Sequence, residues 1–270
     1  MRVPFVKMHG LGNDFIVFDA RAGGVPMMTR TLVAALADRF TGIGCDQLIV
    51  LEPSDRADLT MRIFNHDGGE VEACGNASRA VGLLLGQPAQ IETLGGLIAV
   101  DPAAGGASVD LPVPRFEWNA IPLAYPMDTF SLPVAWEQLD NPLAVNVGNP
   151  HVVFFVADCS AVELDRLGPE IEHDPLFPER INVNVATVES RQRIRLRVWE
   201  RGVGETRACG TGACATAVAA IRRGLVDREV TIALPGGELQ IGWDGQGPIR
   251  MTGPAAMSFR GEFETADYPA

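Results

Sequence analysis

Met61 to Asn76 reads MRIFNHDGGEVEACGN and Leu196 to Thr211 reads LRVWERGVGETRACGT, and the two stretches align without a gap at an offset of 135 residues. Arg62 falls on Arg197, Gly69 on Gly204, Glu70 on Glu205, and Ala73-Cys74-Gly75 on Ala208-Cys209-Gly210. The chain has 270 residues, so this offset is half its length. A second pair, Gly12 to Phe18 (GNDFIVF) and Gly148 to Phe154 (GNPHVVF), recurs at an offset of 136. Two motifs that keep their order and spacing point to a duplicated chain that builds two similar domains.

The local periodicity fits that reading. Phe15 to Phe18, Leu48 to Leu51, Met61 to Phe64, Val152 to Val156 and Ile194 to Trp199 are short apolar runs between turn signals, which predicts strands. After each Cys-Gly a helical spacing begins: Ala77, Ala80, Val81 and Leu84 in the first half, Ala213, Thr216, Ala217 and Ala220 in the second. Gly86 and Gly224 stand where these helices should end. The second helix is built almost wholly of small residues, so neighbouring strands can approach it closely and it is expected to lie buried. Pro112, Pro114, Pro122, Pro126 and Pro133 punctuate a stretch without a strong period, where the interdomain connection is expected.

Composition narrows the function. Lys and Arg total 22 against 34 Asp and Glu, a net charge of −12, which argues against a nucleic-acid partner. The 47% hydrophobic and 21% charged content is that of a folded protein. No signal-peptide core or spanning apolar run stands out, so no membrane association and a cytoplasmic location are expected. The histidines show no zinc spacing, no serine-nucleophile elbow occurs, and no metal is expected. Lys7 is the only lysine, and its apolar, strand-like setting is a poor one for a pyridoxal Schiff base.

Five cysteines, none in a C-x-x-C pair, are too few and too scattered for a disulfide framework. Cys45, Cys159 and Cys214 read as small buried hydrophobes. Cys74 and Cys209 differ, because the repeat superimposes them and each opens a helix. Free N–H groups and the positive end of the dipole stabilise a thiolate there and also bind a carboxylate. Such positions bring a thiol to a pKa of roughly 3.5 to 7.5 from about 8.5. If a pseudo-two-fold axis relates the domains, the two thiols face one substrate carbon from opposite sides. That arrangement suits inversion of a stereocentre, with one thiolate as base and one thiol as acid. Asp67, Glu70 and Glu205 read as turn and helix-start stabilisers.

The chain resembles the diaminopimelate epimerase family over nearly its full length. The resemblance is carried by MHGLGNDFIVFDAR (Met8 to Arg21), GIGCDQL (Gly42 to Leu48), FNHDGGEVEACGN (Phe64 to Asn76), GNPH (Gly148 to His151), INVN (Ile181 to Asn184) and ERGVGETRACGTGACA (Glu200 to Ala215). It implies an α+β fold of two similar, pseudo-symmetric domains, each a mixed sheet or barrel wrapped around a central helix. The domains are expected over 1–117, joined by a C-terminal strand over 263–270, and over 118–262. The implied activity is interconversion of LL- and meso-diaminopimelate for lysine and peptidoglycan synthesis, with no cofactor, in a homodimer.

The resemblance further implies Cys74 and Cys209 as the acid/base thiols and Gly75, Asn76, Gly210 and Thr211 as the carboxylate cradle. Glu200 would face the reacting ammonium. Asn13, Gln47, Asn65, Asn149, Asn182 and Arg201 would read the distal end of the substrate, and His151 and Glu200 would tune the thiols. Asn184 is read as a turn residue. Four positions depart from the family pattern: His66 after Asn65, Ala77 where a second glycine is usual, Ala80 where a cysteine often follows the Arg, and Phe259 where many members have a dimer-contact tyrosine. Two other readings stand beside this one. A racemase of another amino acid, such as proline or hydroxyproline, shares the two-cysteine layout, and a redox sensor would join the two thiols reversibly.

Overall fold

A computed structural model describes residues 1–72 and 74–268, and the chain divides into two compact units. One comprises Met1–Val109 together with the segment from Gly253; the other is Asp110–Thr252.

In the first unit, β1 (Arg2–Gly10) and β2 (Asn13–Asp19) form an antiparallel hairpin. Leu11 and Gly12 turn the chain with φ of 57° and 92°, the two positive values that a tight hairpin turn of matching twist requires. A crossover through α1 (Arg30–Ala37) then brings β3 (Gln47–Glu52) parallel to β2. The strand β4 (Leu59–Asn65) returns antiparallel to β3 and pairs with the short β5 (Glu70–Val71), after which the chain enters α2 (Gly75–Leu85). Beyond α2 come β6 (Ala89–Thr93), parallel to β4, then β7 (Gly96–Ala103) and β8 (Gly106–Leu111) as successive antiparallel neighbours.

The second unit repeats this order. A small hairpin, β9 (Ala135–Trp136) and β10 (Leu139–Asp140), precedes β11 (Leu143–Asn146) and β12 (Pro150–Phe155). A crossover through α3 (Leu164–Glu172) places β13 (Asn182–Ser190) parallel to β12, and β14 (Arg193–Glu200) is antiparallel to β13. Next come β15 (Gly204–Thr206), α4 (Gly210–Arg222), β16 (Glu229–Leu234) parallel to β14, β17 (Gly237–Gly242) and β18 (Ile249–Pro254). Even the register repeats: Leu48 faces Phe64 as Val183 faces Trp199, and Ile63 faces Val71 as Val198 faces Thr206. The protein is thus an α+β fold built from two copies of one mixed-sheet topology.

Each copy is organised by its second helix. Residues 212–220 of α4 are all buried, and the helix packs against β11, β12, β13, β14, β16 and β17. Alanine, glycine and cysteine keep its cross-section small, which lets six strands close around it at native packing density. In α2, Ala77, Ala80 and Val81 are fully buried against β1, β7 and β19 (Ala256–Glu264). Gly86 ends α2 with φ of 67°, and Gly224 lies just past the C-cap of α4 with φ of 70°. The first helices cover the sheets from outside. Thr29 caps α1 by accepting from the Leu32 N–H at 3.2 Å, and Leu32, Val33 and Leu36 bury against Ile16, Phe18, Leu48 and Val50. Leu164, Leu167 and Ile171 of α3 pack on Trp136, Phe154 and Phe177. Complete burial of such side chains contributes about 1.5–3 kcal/mol each.

The unit boundaries differ from the expected 117/118 and 262/263. The proline-rich stretch is no linker, because Ile121, Leu123 and Leu132 are buried in the core of the second unit. The C-terminal strand starts at Ala256 rather than 263, because β19 pairs with β1 all the way from His9↔Ala256 to Arg2↔Glu264. It stops at Glu264, where β1 runs out of residues, and a single 3₁₀ turn follows over Thr265–Asp267. The last two residues of the expected strand, Pro269 and Ala270, lie outside the described residues, as does Ala73. No described helix is long and apolar enough to cross a membrane.

Candidate active site

In the first unit the hairpin of β4 and β5 delivers the chain to Cys74, the N-cap of α2. Glu70 locks that hairpin by accepting both arms of Arg62 across it, at 2.7 and 2.9 Å. Cys74 is half-buried, and its Sγ lies 3.8 Å from Asn13 Oδ1. The same oxygen accepts from Asn76 Nδ2 at 3.2 Å. Asn13 sits just past the tight hairpin turn, so its side chain is brought to the first turn of α2 by β1–β2 geometry. On the paired strands β3 and β4, Gln47 Nε2 donates to Asn65 Oδ1 at 3.0 Å. Gln47 Oε1 is buried and has no partner among the described residues, which leaves a desolvated acceptor. His66 is exposed, and Asp67 accepts from Gly69 N–H and from Arg30 in a surface turn. Ala77 is buried inside α2.

The second unit repeats the device in a drier setting. Arg197 and Glu205 form the same bidentate lock, at 2.8 and 3.0 Å, on the hairpin of β14 and β15. Cys209 caps α4, is 4% exposed, and its Sγ accepts from the Gly212 N–H at 3.3 Å with Thr211 Oγ1 at 3.5 Å. The Glu200 carboxylate acts on this thiol and accepts from Thr206 Oγ1. Burial pushes the Cys209 thiol well above its ordinary value, and the Glu200 charge adds to that. The low thiol pKa expected at a helix start does not hold for Cys209: desolvation outweighs the helix end. Burial also raises the Glu200 carboxyl.

His151 is fully buried on β12. Asn184 Nδ2 donates to its Nδ1 at 3.1 Å, so the proton sits on Nε2 and is donated to Asn149 Oδ1 at 2.9 Å. Asn184 thus orients His151, and His151 orients Asn149; Asn184 is no turn residue but a buried strand residue. The alternation of a strand places it on the same face as Asn182, a signal that is legible in the sequence. Asn182 itself donates to Pro150 O at 2.8 Å and accepts from the Arg201 N–H at 2.9 Å. Arg201 is exposed, with Nη1 on the Glu179 carbonyl at 3.0 Å. The turn that carries it is pinned by buried Glu172, which accepts from Gly202 N–H and Trp199 Nε1 at 2.9 and 2.7 Å.

Burial brings the His151 imidazole down to about 3. The folded state keeps the ring neutral while the unfolded chain takes up a proton near pH 6.5, so the unfolded state binds more protons below that value. Stability is complete above pH 6.5 and falls as the pH drops toward 3. Between pH 7 and pH 5 the expected loss is about 2 kcal/mol. Urea unfolding at the two pH values measures it, and His151→Gln should remove most of the difference. Asp14 acts in a lower window. Burial pushes its carboxyl up, but hydrogen bonds from Arg39 and Lys7 outweigh this and bring it to about 2, so its contribution fades only as pH falls from about 4 toward 2.

The remaining candidates are structural. Cys45, Cys159 and Cys214 are buried, and burial pushes the Cys45 thiol up to about 12. Lys7 is buried, paired with Asp14 and donating to the Gly44 carbonyl, which leaves no free amine. Phe259 on β19 is 50% exposed and meets Phe5 edge-on at 6.0 Å. Among the described residues no group of three or more His, Cys, Asp or Glu side chains could hold a metal ion.

One topology used twice, each copy with a thiol at the start of its buried helix, defines a two-domain repeat fold known from solved structures. A PhzF-family phenazine biosynthesis protein of Bacillus anthracis matches with a TM-score of 0.70 at 14% identity, over 98% of this chain and 99% of that one. A probable proline racemase of Agrobacterium radiobacter matches with a TM-score of 0.69 at 16% identity, over 97% and 93%. At such identities the likeness is one of fold. The chain belongs to the diaminopimelate epimerase family, a family of isomerases: the family profile of that description matches residues 5–111 and 143–258. Proteins named diaminopimelate epimerase from Erythrobacter litoralis and Sphingopyxis alaskensis are 69% and 63% identical to it. The first covers 99% of this chain and 100% of its own length, the second 98% of each.

Proposed function

We propose that this protein interconverts LL- and meso-diaminopimelate, with Cys74 and Cys209 as its two acid/base groups. The observation that carries the reading is the duplicated hairpin-cysteine-helix device: the same ion-paired hairpin presents one thiol per unit at a helix start. One thiolate removes the α-proton and the opposite thiol returns one to the other face. The charge that develops on the substrate carboxylate is met by the N–H groups of Gly75, Asn76, Gly210 and Thr211. Glu200 takes the reacting ammonium. That cation would cancel the charge that opposes ionisation of Cys209, so the thiol becomes a usable base only once substrate is in place.

Asn13, Gln47, Asn65, Asn149, Asn182 and Arg201 bind the distal amino-acid end. Diaminopimelate carries two carboxylates and two ammoniums, so amides with one Arg suit it better than a strongly charged pocket. The unpartnered Gln47 Oε1 is the kind of acceptor that an ammonium satisfies. His151 acts through Asn149. The reaction proceeds without pyridoxal phosphate, a reading supported by the engaged amine of the only lysine. The protein works in the cytoplasm as a homodimer, with the exposed Phe259 and its strand as the contact. The two rival readings, a proline-type racemase and a redox sensor, are not favoured by the names of the full-length relatives.

Incubation of the reduced protein with LL-diaminopimelate in deuterated water tests the reading. Meso product carrying solvent deuterium at the α-carbon is expected. A folded, reduced protein that gives neither exchange nor meso isomer would reject it.

A further inference from the structure

Four side chains of the first unit form a single directed line of hydrogen bonds. Arg79 Nη2 donates to Asn76 Oδ1 at 2.9 Å, Asn76 Nδ2 to Asn13 Oδ1 at 3.2 Å, and Asn13 Nδ2 to Asp46 Oδ2 at 2.9 Å. A primary amide can face either way, and nothing local decides which. Here the ends decide: a guanidinium only donates and a carboxylate only accepts, so both amides between them have one permitted orientation. That orientation turns the Asn13 carbonyl toward Cys74, where Sγ lies 3.8 Å away. A carbonyl oxygen accepts from S–H and offers nothing to a thiolate.

Neither charged end has a counterpart in the second unit. At the 135-residue offset Arg79 falls on Cys214 and Asp46 on Ile181. The guanidinium is fully buried in α2, a costly place for a cation that serves no purpose there. We infer that Arg79 and Asp46 are positioning residues which, by fixing the amides of Asn76 and Asn13, hold Cys74 as a hydrogen-bond-donating thiol. The inference rests on the reading of Cys74 as a reacting group, but its geometry and its test do not require turnover.

The charged groups around the line are Lys7 on β1, Asp14 on β2, Arg39 after α1, Asp46 before β3 and Arg79 on α2. Asp46 also pairs with Arg39 at 2.7 Å and accepts from the Asp14 N–H at 3.1 Å, so loss of charge and loss of orientation must be separated. The experiment is the pH profile of Cys74 alkylation by iodoacetamide in the full-length reduced protein, followed by peptide mass spectrometry. In Asp46→Ala only the 3.2 Å bond from Asn76 still holds the Asn13 amide, so its NH₂ can turn to the sulfur at the expense of that one bond. The midpoint for Cys74 should fall by about one pH unit, the worth of one hydrogen bond, while the limiting rate at high pH and the profile of Cys209 stay as in the parent protein. Asp46→Asn removes the same charge but keeps an acceptor for Asn13 and should restore the parent midpoint. Arg39→Ala, which breaks the ion pairs to Asp46 and Asp14 but leaves Asn13 its acceptor, should not lower the midpoint.

An unshifted midpoint in folded Asp46→Ala would overturn the inference. So would an equal shift in Asp46→Asn, which would make charge the cause, or a rise in the limiting rate alone, which reports loosening. Should Asp46→Ala fail to fold, Asp46→Leu, which also removes the acceptor of Asn13 but keeps the side-chain volume, must shift the midpoint in the same direction. If Cys74→Ala retains turnover, the proposed catalytic role fails while these alkylation results stand or fall separately.

Discussion

Alanine in place of Cys74 should lower epimerisation by about 10²- to 10⁴-fold, the range set by loss of one positioned proton-transfer group, and alanine in place of Cys209 should do the same. Neither change should unfold the chain. Cys74 is half-buried, and Cys209 leaves a gap of one sulfur atom beside a helix whose other contacts are intact. The variants should differ in a second measurement. If each sulfur serves one face of the reacting carbon, the surviving thiol in each variant still exchanges the α-proton of one stereoisomer with solvent. Cys74→Ala and Cys209→Ala should therefore wash deuterium into opposite isomers. Near-normal turnover in either variant, or exchange into the same isomer in both, would end the two-thiol reading.

A single methyl group at Gly212 is expected to damage the fold and the site together. A β-carbon built there lies 2.7 Å from Asn184 Oδ1 and 3.0 Å from Val198 Cγ2. The helix cannot retreat, since strands of the same unit pack around it. Overpacking of this kind costs about 1–3 kcal/mol. Because Asn184 holds His151 and the Gly212 N–H caps the Cys209 sulfur, Gly212→Ala should lose activity together with stability. Gly242→Ala is the control: its nearest neighbour, Glu229 Cγ, is 3.8 Å away, and a change within about 0.5 kcal/mol is expected. Thermal unfolding of the two variants, with an activity measurement on each, decides the matter. An unchanged Gly212→Ala protein would mean that the core around α4 is looser than its burial implies.

Much of this was legible in the chain itself. The aligned halves, the apolar runs, the small-residue helix and the glycines at 86 and 224 are local signals, and local sterics and periodicity turn them into a repeated topology with a thiol at each helix start. Arg62 with Glu70 and Arg197 with Glu205 also recur in the sequence, though only cross-strand pairing reveals them as hairpin locks. What the tertiary structure decided is everything that depends on residues far apart in sequence. Strand β19 joins β1, so a segment from the end of the chain completes the first unit, and no local pattern encodes that partner. Ile121, Leu123 and Leu132 look like linker residues until the core of the second unit buries them. The electrostatic character of Cys209 likewise lies outside its motif. A helix start favours the thiolate, but enclosure by strands and the nearby Glu200 carboxylate favour the thiol, and desolvation is the stronger effect. Sequence alone determined which residues are brought to the two helix starts; folding determined how dry, how charged and how precisely oriented those positions are, because burial and hydrogen-bond direction are properties of the packed chain.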